Sequence, residues 1–318
     1  MQNGTRAEQA GVPMRLLVAN PRGFCAGVEM AVNALERMIE SYGSPIYCFH
    51  EVVHNQCVVS SFEKRGVIFV DSIEQVPCGA RLVFSAHGVS PAVREAVAAR
   101  SLEVADLTCP LVLKVHREAQ DFAAQGRMIA LVGHANHDEV VGVIGEAPEQ
   151  IVLVENVEQA RVMQANSHAR LAYLTQTTLS MDETRDIVET LKERFPDIAG
   201  PAAADICYAT QNRQEAITAL ARESDVVLVV GSANSSNTMQ LVNVAKRTGR
   251  PVYWIGDASD LQMEWFQGVD IVALTAGASV PESVVQQVVS YFRIEWNAHV
   301  DERVIKLENV HFSLPHGL

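Results

Sequence analysis

The stretch Leu228-Val229-Val230-Gly231-Ser232-Ala233-Asn234-Ser235 passes from an apolar run through small residues into hydroxyl and amide side chains. Leu82-Val83-Phe84-Ser85-Ala86-His87-Gly88 and Ala130-Leu131-Val132-Gly133-His134-Ala135-Asn136-His137 have the same form. Ala172–Ser180 and Ile271–Ser279 repeat it with Thr and Ser. A short apolar run bounded by small residues reads as a strand of a parallel sheet, and ligands of such sheets sit beyond the carboxyl ends of the strands. Five polar tips of one kind therefore point to one shared pocket.

Outward from these tips, short apolar runs alternate with longer helical patterns, which is α/β layering. Further strands are expected at Leu16–Ala19, Ile46–Phe49, Val67–Val70, Ile151–Val154 and Val252–Ile255. Val28, Ala31, Val32, Leu35, Met38 and Ile39 fall at helical spacing, and Tyr42-Gly43 closes that helix with a glycine stop. Helices are also expected over Pro91–Arg100, Leu111–Gln125, Met181–Phe195, Asn212–Glu223, Ser236–Thr248 and Pro281–Phe292. No Pro/Gly/Ser linker divides the chain, so its parts pack closely together.

The chain has 318 residues, 25 Lys and Arg against 38 Asp and Glu, and a net charge of −13. That length suits two domains or three small ones. An acidic chain without a basic run is a poor nucleic-acid binder, because that affinity rests on neutralising phosphates. The longest apolar runs, such as Val226–Val230 and Ile271–Leu274, are strand-sized, so no membrane-spanning segment is expected. Residues 1–13 are polar and lack the apolar core of a secretory signal. They read as a disordered extension on a soluble cytoplasmic protein. There is no Gly-x-Gly-x-x-Gly, no Gly-x-x-x-x-Gly-Lys-Ser/Thr and no Gly-x-Ser-x-Gly, which withdraws support from nucleotide and serine-hydrolase chemistry.

Six cysteines are too few for a disulfide scaffold in a chain of this size. Cys25, Cys109 and Cys207 each lie in a loop just before a helix pattern, in Gly23-Phe24-Cys25-Ala26-Gly27, Thr108-Cys109-Pro110 and Asp205-Ile206-Cys207-Tyr208. A helix start offers free N–H groups and a positive dipole end, which favour a thiolate or an anionic cluster. A single cysteine in such a place is ordinarily a small buried hydrophobe. Three in matching contexts favour convergence on one iron–sulfur cluster with an iron left open for substrate. Zinc would need a fourth ligand and usually paired Cys-x-x-Cys spacing, which is absent. Cys48, in a strand, Cys57, in a helix pattern, and Cys78, in a turn after Pro77, read as structural packing residues.

His54, His87 and His137 sit at strand ends, and Ser235-Ser236-Asn237 and Ser279 lie at further strand ends. Together they form a set of donors for a phosphate or diphosphate at helix N-termini. Glu139, at a helix start, fits two readings that spacing does not separate: decoration for the helix dipole, or a proton donor helped by the Thr177 hydroxyl. Thr177 alone reads as a helix cap.

The segments Ala19–Val28, His50–Asn55, Phe84–Ser90, Thr108–Val112, Gly133–Glu139, Thr175–Ser180, Asp205–Ala209 and Gly231–Asn237 resemble the 4-hydroxy-3-methylbut-2-enyl diphosphate reductase family, in family order from about Met14 to Phe292. The resemblance implies an α/β trefoil of three similar units, each with a small mostly parallel sheet, around a central 4Fe–4S cluster. On that plan the units are 24–109, 110–206 and 207–295, the last joined by a strand in 14–23, with 296–318 as a C-terminal tail. It further implies Cys25, Cys109 and Cys207 as cluster ligands, His54, His87, His137, Ser235, Ser236, Asn237 and Ser279 as the diphosphate pocket, Glu139 as proton donor and Thr177 as relay. The implied reaction removes the substrate hydroxyl as water and gives isopentenyl or dimethylallyl diphosphate. Its electrons come from ferredoxin or flavodoxin. Two other readings of the residues stay open: an iron–sulfur hydro-lyase, and a cluster-bearing metabolite sensor without turnover.

Overall fold

The structure, a computed structural model, describes residues 13–165 and 170–315. Apart from Pro13, the extension expected to be disordered lies outside the described residues. Three separate parallel sheets form the frame. The first, in spatial order, holds β10 (Val252–Ile255), β9 (Val226–Val230), β11 (Ile271–Ala276), β1 (Arg15–Asn20) and β12 (His299–Val304). The second holds β3 (Val67–Val70), β2 (Ile46–Phe49), β4 (Arg81–Phe84) and β5 (Glu103–Asp106). The third holds β7 (Ile151–Val154), β6 (Met128–Val132) and β8 (Leu171–Thr175). This is the expected α/β plan of three small sheets, and none of them closes into a barrel.

The strands read as continuous apolar runs because helices cover both faces. In β9 all five residues are buried. Side chains alternate between faces along a strand. Val227 and Val229 accordingly meet Ile217 and Leu220 of α8 (Tyr208–Glu223) and Leu241 of α9 (Ser236–Lys246). Leu228 and Val230 turn the other way, toward Val285, Val288 and Phe292 of α10 (Glu282–Glu295). In the second sheet, Ile46, Cys48 and Val83 pack on Leu35 and Met38 of α1 (Ala26–Tyr42), while Leu82 and Phe84 pack with Val97 of α3 (Pro91–Ala99). In the third, Ile129 and Leu131 face Val115 of α4 (Pro110–Ala124) and Val140 of α5 (Asp138–Glu146). Ala130 and Val132 face Ile187 and Leu191 of α7 (Met181–Arg194).

Two strands and one helix lack a sequence signal. β5 and β12 are edge strands whose charged residues hide the strand period. In β12, Asp301 pairs with Arg15 at 3.0 Å and Glu302 with Arg22 at 2.9 Å. The segment 296–318, expected as a tail, thus supplies a strand beside β1. The helix α6 (Val157–Val162) is a six-residue turn, too short for a helical period to show. Cys48 is buried in β2, but Cys57 and Cys78 are exposed, which corrects the reading of all three as packing residues. Cys57 lies on the solvent side of α2 (Gln56–Glu63), and Cys78 lies in a surface turn.

Candidate active site

Because each sheet is parallel, its strand ends and following helix starts gather on one side. The three sheets turn those ends toward one pocket, whose lining includes all twelve residues singled out from the sequence.

Cys25, Cys109 and Cys207 occupy the N-cap positions of α1, α4 and α8. Only the Cys207 thiol accepts a cap hydrogen bond, from Thr210 N–H at 3.4 Å, while Cys25 and Cys109 stand at the positive dipole ends of their helices without one. All three are free and half-buried. A Cβ on Gly27 would stand 2.6 Å from Cys109 Sγ and 3.9 Å from Cys25 Sγ, so the approach of two thiol-bearing elements requires glycine there. Burial pushes the Cys109 thiol up to about 12 and the Cys207 thiol up to about 11, with neighbouring thiols adding to the rise. Such thiols give up their protons to a bound metal rather than to water. Three free thiols at three helix starts in one pocket are a donor set for a soft metal centre.

In the same pocket, His54 and His87 stack with ring centroids 3.9 Å apart, and His137 stands edge-on to them at 5.5 and 6.0 Å. His137 caps α5, and its Nδ1 accepts the backbone N–H of Glu139 at 3.3 Å. That assignment leaves the proton on Nε2, as a neutral donor for an anion. Burial, reinforced by the neighbouring rings, lowers His137 to about 4 and holds His87 well below the ordinary imidazole range. His54 Nδ1 lies 3.2 Å from the Glu51 carboxylate, which also accepts from Asn234 at 2.8 Å.

Glu139 is only 2 % exposed. Desolvation raises its carboxyl to about 7, against two hydrogen bonds that favour the charged form. Thr177 supplies both: its backbone N–H donates to Oε1 at 2.7 Å and its hydroxyl to Oε2 at 2.8 Å. Thr177 is itself buried at the end of β8. Position alone left the acid undecided, but dipole decoration is a surface role and this carboxyl is buried inside the pocket.

The hydroxyl and amide set is partly committed to scaffolding. Ser235 caps α9 by accepting from Thr238 N at 3.3 Å. The Ser236 hydroxyl lies 2.9 Å from that of Thr178. The Asn237 amide donates to Thr210 Oγ1 at 3.3 Å and accepts from Ala278 N at 2.8 Å, so it ties α9 to two other parts of the wall. Ser279 donates to the His54 carbonyl at 2.9 Å and fixes that histidine's loop to the first sheet's side of the pocket.

Two polar lining residues escaped the sequence reading. Thr210, fully buried, sits three residues after Cys207, with its hydroxyl 3.1 Å from Cys207 Sγ. Thr178 follows Thr177 and also lines the pocket. Thr210 has a sequence signal, since a cap residue touches the residue three places into its helix. Thr178 has none.

A family model described as LytB protein matches residues 16–293. The 4-hydroxy-3-methylbut-2-enyl diphosphate reductase of Rhodopirellula baltica is 49% identical over 306 residues, covering 96% of each chain. The protein of that name from Leifsonia xyli is 50% identical over 305 residues, covering 96% of this chain and 90% of its own. Among solved structures, the E-1-hydroxy-2-methyl-but-2-enyl-4-diphosphate reductase of Plasmodium falciparum superposes with a TM-score of 0.93 at 39% identity, covering 95% of this chain and 96% of that one. A second, described as (E)-4-hydroxy-3-methyl-but-2-enyl diphosphate reductase, gives 0.64 at 32% identity over 88% of this chain and 99% of its own.

Proposed function

The chain belongs to the LytB family of 4-hydroxy-3-methylbut-2-enyl diphosphate reductases, and we propose that it reduces the (E)-4-hydroxy compound to isopentenyl and dimethylallyl diphosphate in the last step of non-mevalonate isoprenoid synthesis. The observation that carries this reading is a buried Glu139, its carboxyl raised to about 7, in the same pocket as three helix-start cysteines and three histidines. It acts as a cytoplasmic enzyme, with units of 24–109, 110–206 and 207–295.

Cys25, Cys109 and Cys207 would hold a 4Fe–4S cluster, which when bound would supply electrons and Lewis acidity for the loss of the substrate hydroxyl. Everything else is done by the chain. His137, through Nε2–H, and His54 and His87 hold the diphosphate without Lys or Arg, and Ser235, Ser236 and Ser279 line the same end. Asn237 braces that wall. Glu139 stores a proton at neutral pH because burial denies its charged form water. Thr177 hands that proton through its hydroxyl to the departing substrate oxygen. The overall change consumes two electrons and two protons: the C–O bond breaks, one proton leaves with oxygen as water, and the other ends on carbon. Proton delivery at either end of the allyl unit gives the two products. The electrons would come from ferredoxin or flavodoxin.

The test is an anaerobic assay of the purified chain with its iron and sulfide counted. Supplied with a reduced carrier and the diphosphate alcohol, it is expected to release five-carbon olefin diphosphates. An intact cluster with no olefin product overturns the reductase reading. A hydrated or dehydrated product without electron consumption would identify a hydro-lyase instead.

A further inference from the structure

Arg213 has the largest side chain among the fully buried residues, with 0 % exposure. A buried guanidinium is costly unless every donor is met by a partner. Here the partners are specific. Nε and Nη2 donate to the Gly23 carbonyl at 3.2 and 2.8 Å, and Nη2 also donates to the Phe24 carbonyl at 3.3 Å. Those are the two carbonyls immediately before Cys25. Nη1 donates to Ala209 O at 2.9 Å, in the first turn of the helix that Cys207 caps. The same nitrogen meets both carboxylate oxygens of Glu308, at 3.1 and 3.3 Å.

Glu308 comes from the segment after β12. It is held a second time by the Asn212 amide at 3.0 Å. That segment begins tied to β1, where Ile305 N–H donates to Asn20 O at 2.9 Å. Farther on, Leu314 packs on the second sheet's core, the cluster that Phe24 also joins. The segment therefore straps the first and second sheets together across the Cys25 loop. That loop has little freedom: Gly23 has φ +61°, and a Cβ there would stand 2.9 Å from Val280 O.

We propose that Arg213 is a positioning residue that sets the Cys25 loop against the Cys207 helix, and that Glu308 makes the C-terminal segment part of the thiol site. This rests on the three cysteines being metal ligands. Residues behind a ligand orient it, and their loss is felt in metal retention and potential as well as in turnover.

The test compares R213M, R213K and E308Q with the parent chain and with C57S, each purified anaerobically as holoenzyme. Iron is challenged with a chelator, and the midpoint potential of the bound cluster is measured. R213M is expected to weaken iron retention about tenfold and to move the potential to more negative values, because a buried positive charge is lost. E308Q leaves Arg213 in place, weakens retention less and moves the potential the opposite way. R213K keeps the potential near that of the parent but retains iron poorly, because an ammonium cannot span the fork of carbonyls. A purely structural loosening has no reason to give R213M and E308Q opposite signs. Shifts of one sign, or parental retention and potential in R213M, overturn the proposal. If R213M fails to fold, E308Q and R213K decide: a parental potential in E308Q or parental retention in R213K overturns it. A parent and C57S that bind no iron overturn the thiol reading itself, before any variant is compared.

Discussion

Replacing Glu139 by Gln separates the chemistry of this carboxyl from its cost to the fold. The carboxyl titrates at about 7 instead of 4.5. Near neutral pH it is about half protonated, where an ordinary carboxyl would be protonated in roughly one molecule in 300. Gln keeps the shape and still accepts the Thr177 N–H, while the freely turning Thr177 hydroxyl accepts from the new amide. It carries no transferable proton, so turnover is expected to fall about 10²–10⁴-fold, with iron content and diphosphate binding retained. The parent's activity holds below about pH 7 and declines above it as the acid form disappears, and this limb is absent in the residual activity of E139Q. Stability moves the other way. The folded-state pKa is raised, so the group's contribution to stability is full below about 4.5 and is lost as pH rises through about 7. E139Q cannot ionise, so it matches the parent at low pH and exceeds it by about 3 kcal/mol well above neutrality. Anaerobic turnover with a reduced carrier, and urea unfolding across pH 5–8.5, read the two effects. Turnover within about threefold of the parent would refute the proton-donor role. Equal stability of the two chains at pH 8.5 would refute the burial argument behind it.

Three further outcomes follow from the same geometry. Cys109→Ser should abolish bound iron and the brown colour, whereas Cys57→Ser, at an exposed thiol, should leave both; equal bleaching would refute the ligand set. Gly27→Ala drives a methyl toward Cys109 Sγ at 2.6 Å. It should cost about 1–3 kcal/mol of stability in urea and lower iron content, and a parental iron count would show that the thiols sit farther apart. His137→Phe keeps a ring but removes the Nε2–H donor, so calorimetric affinity for inorganic diphosphate should fall about tenfold. The loss should be the same at pH 6 and 8, because His137, lowered to about 4, is neutral at both. A loss confined to acid pH would mean that the ring works as a cation.

Much of the frame was readable because parallel strands are buried on both faces and their residues announce it, as Val226–Val230 does. β5 and β12 were not, since edge strands carry the charges that keep an edge soluble. The candidate site was legible to the same degree. Its residues lie at strand tips and helix caps, where local chemistry leaves a mark: Cys, His and Ser before a helix pattern. Thr178 and the Arg213–Glu308 pair left none. Glu308 lies 95 residues from the side chain it meets, and nothing in its neighbours points there.

By itself the sequence determined the layering, the positions of the strand tips and the types of side chain that stand on them. It did so because period, apolar runs and helix caps are local properties. Only the tertiary structure decided that three cysteines from three sheets share one wall, since that depends on how close Gly27 lets two elements approach. It also decided the state of Glu139. A helix start shows its acids to water unless another unit covers them, and here β8 brings Thr177 and a buried wall over that carboxyl. Its raised pKa is a consequence of that burial, which no short stretch of chain records.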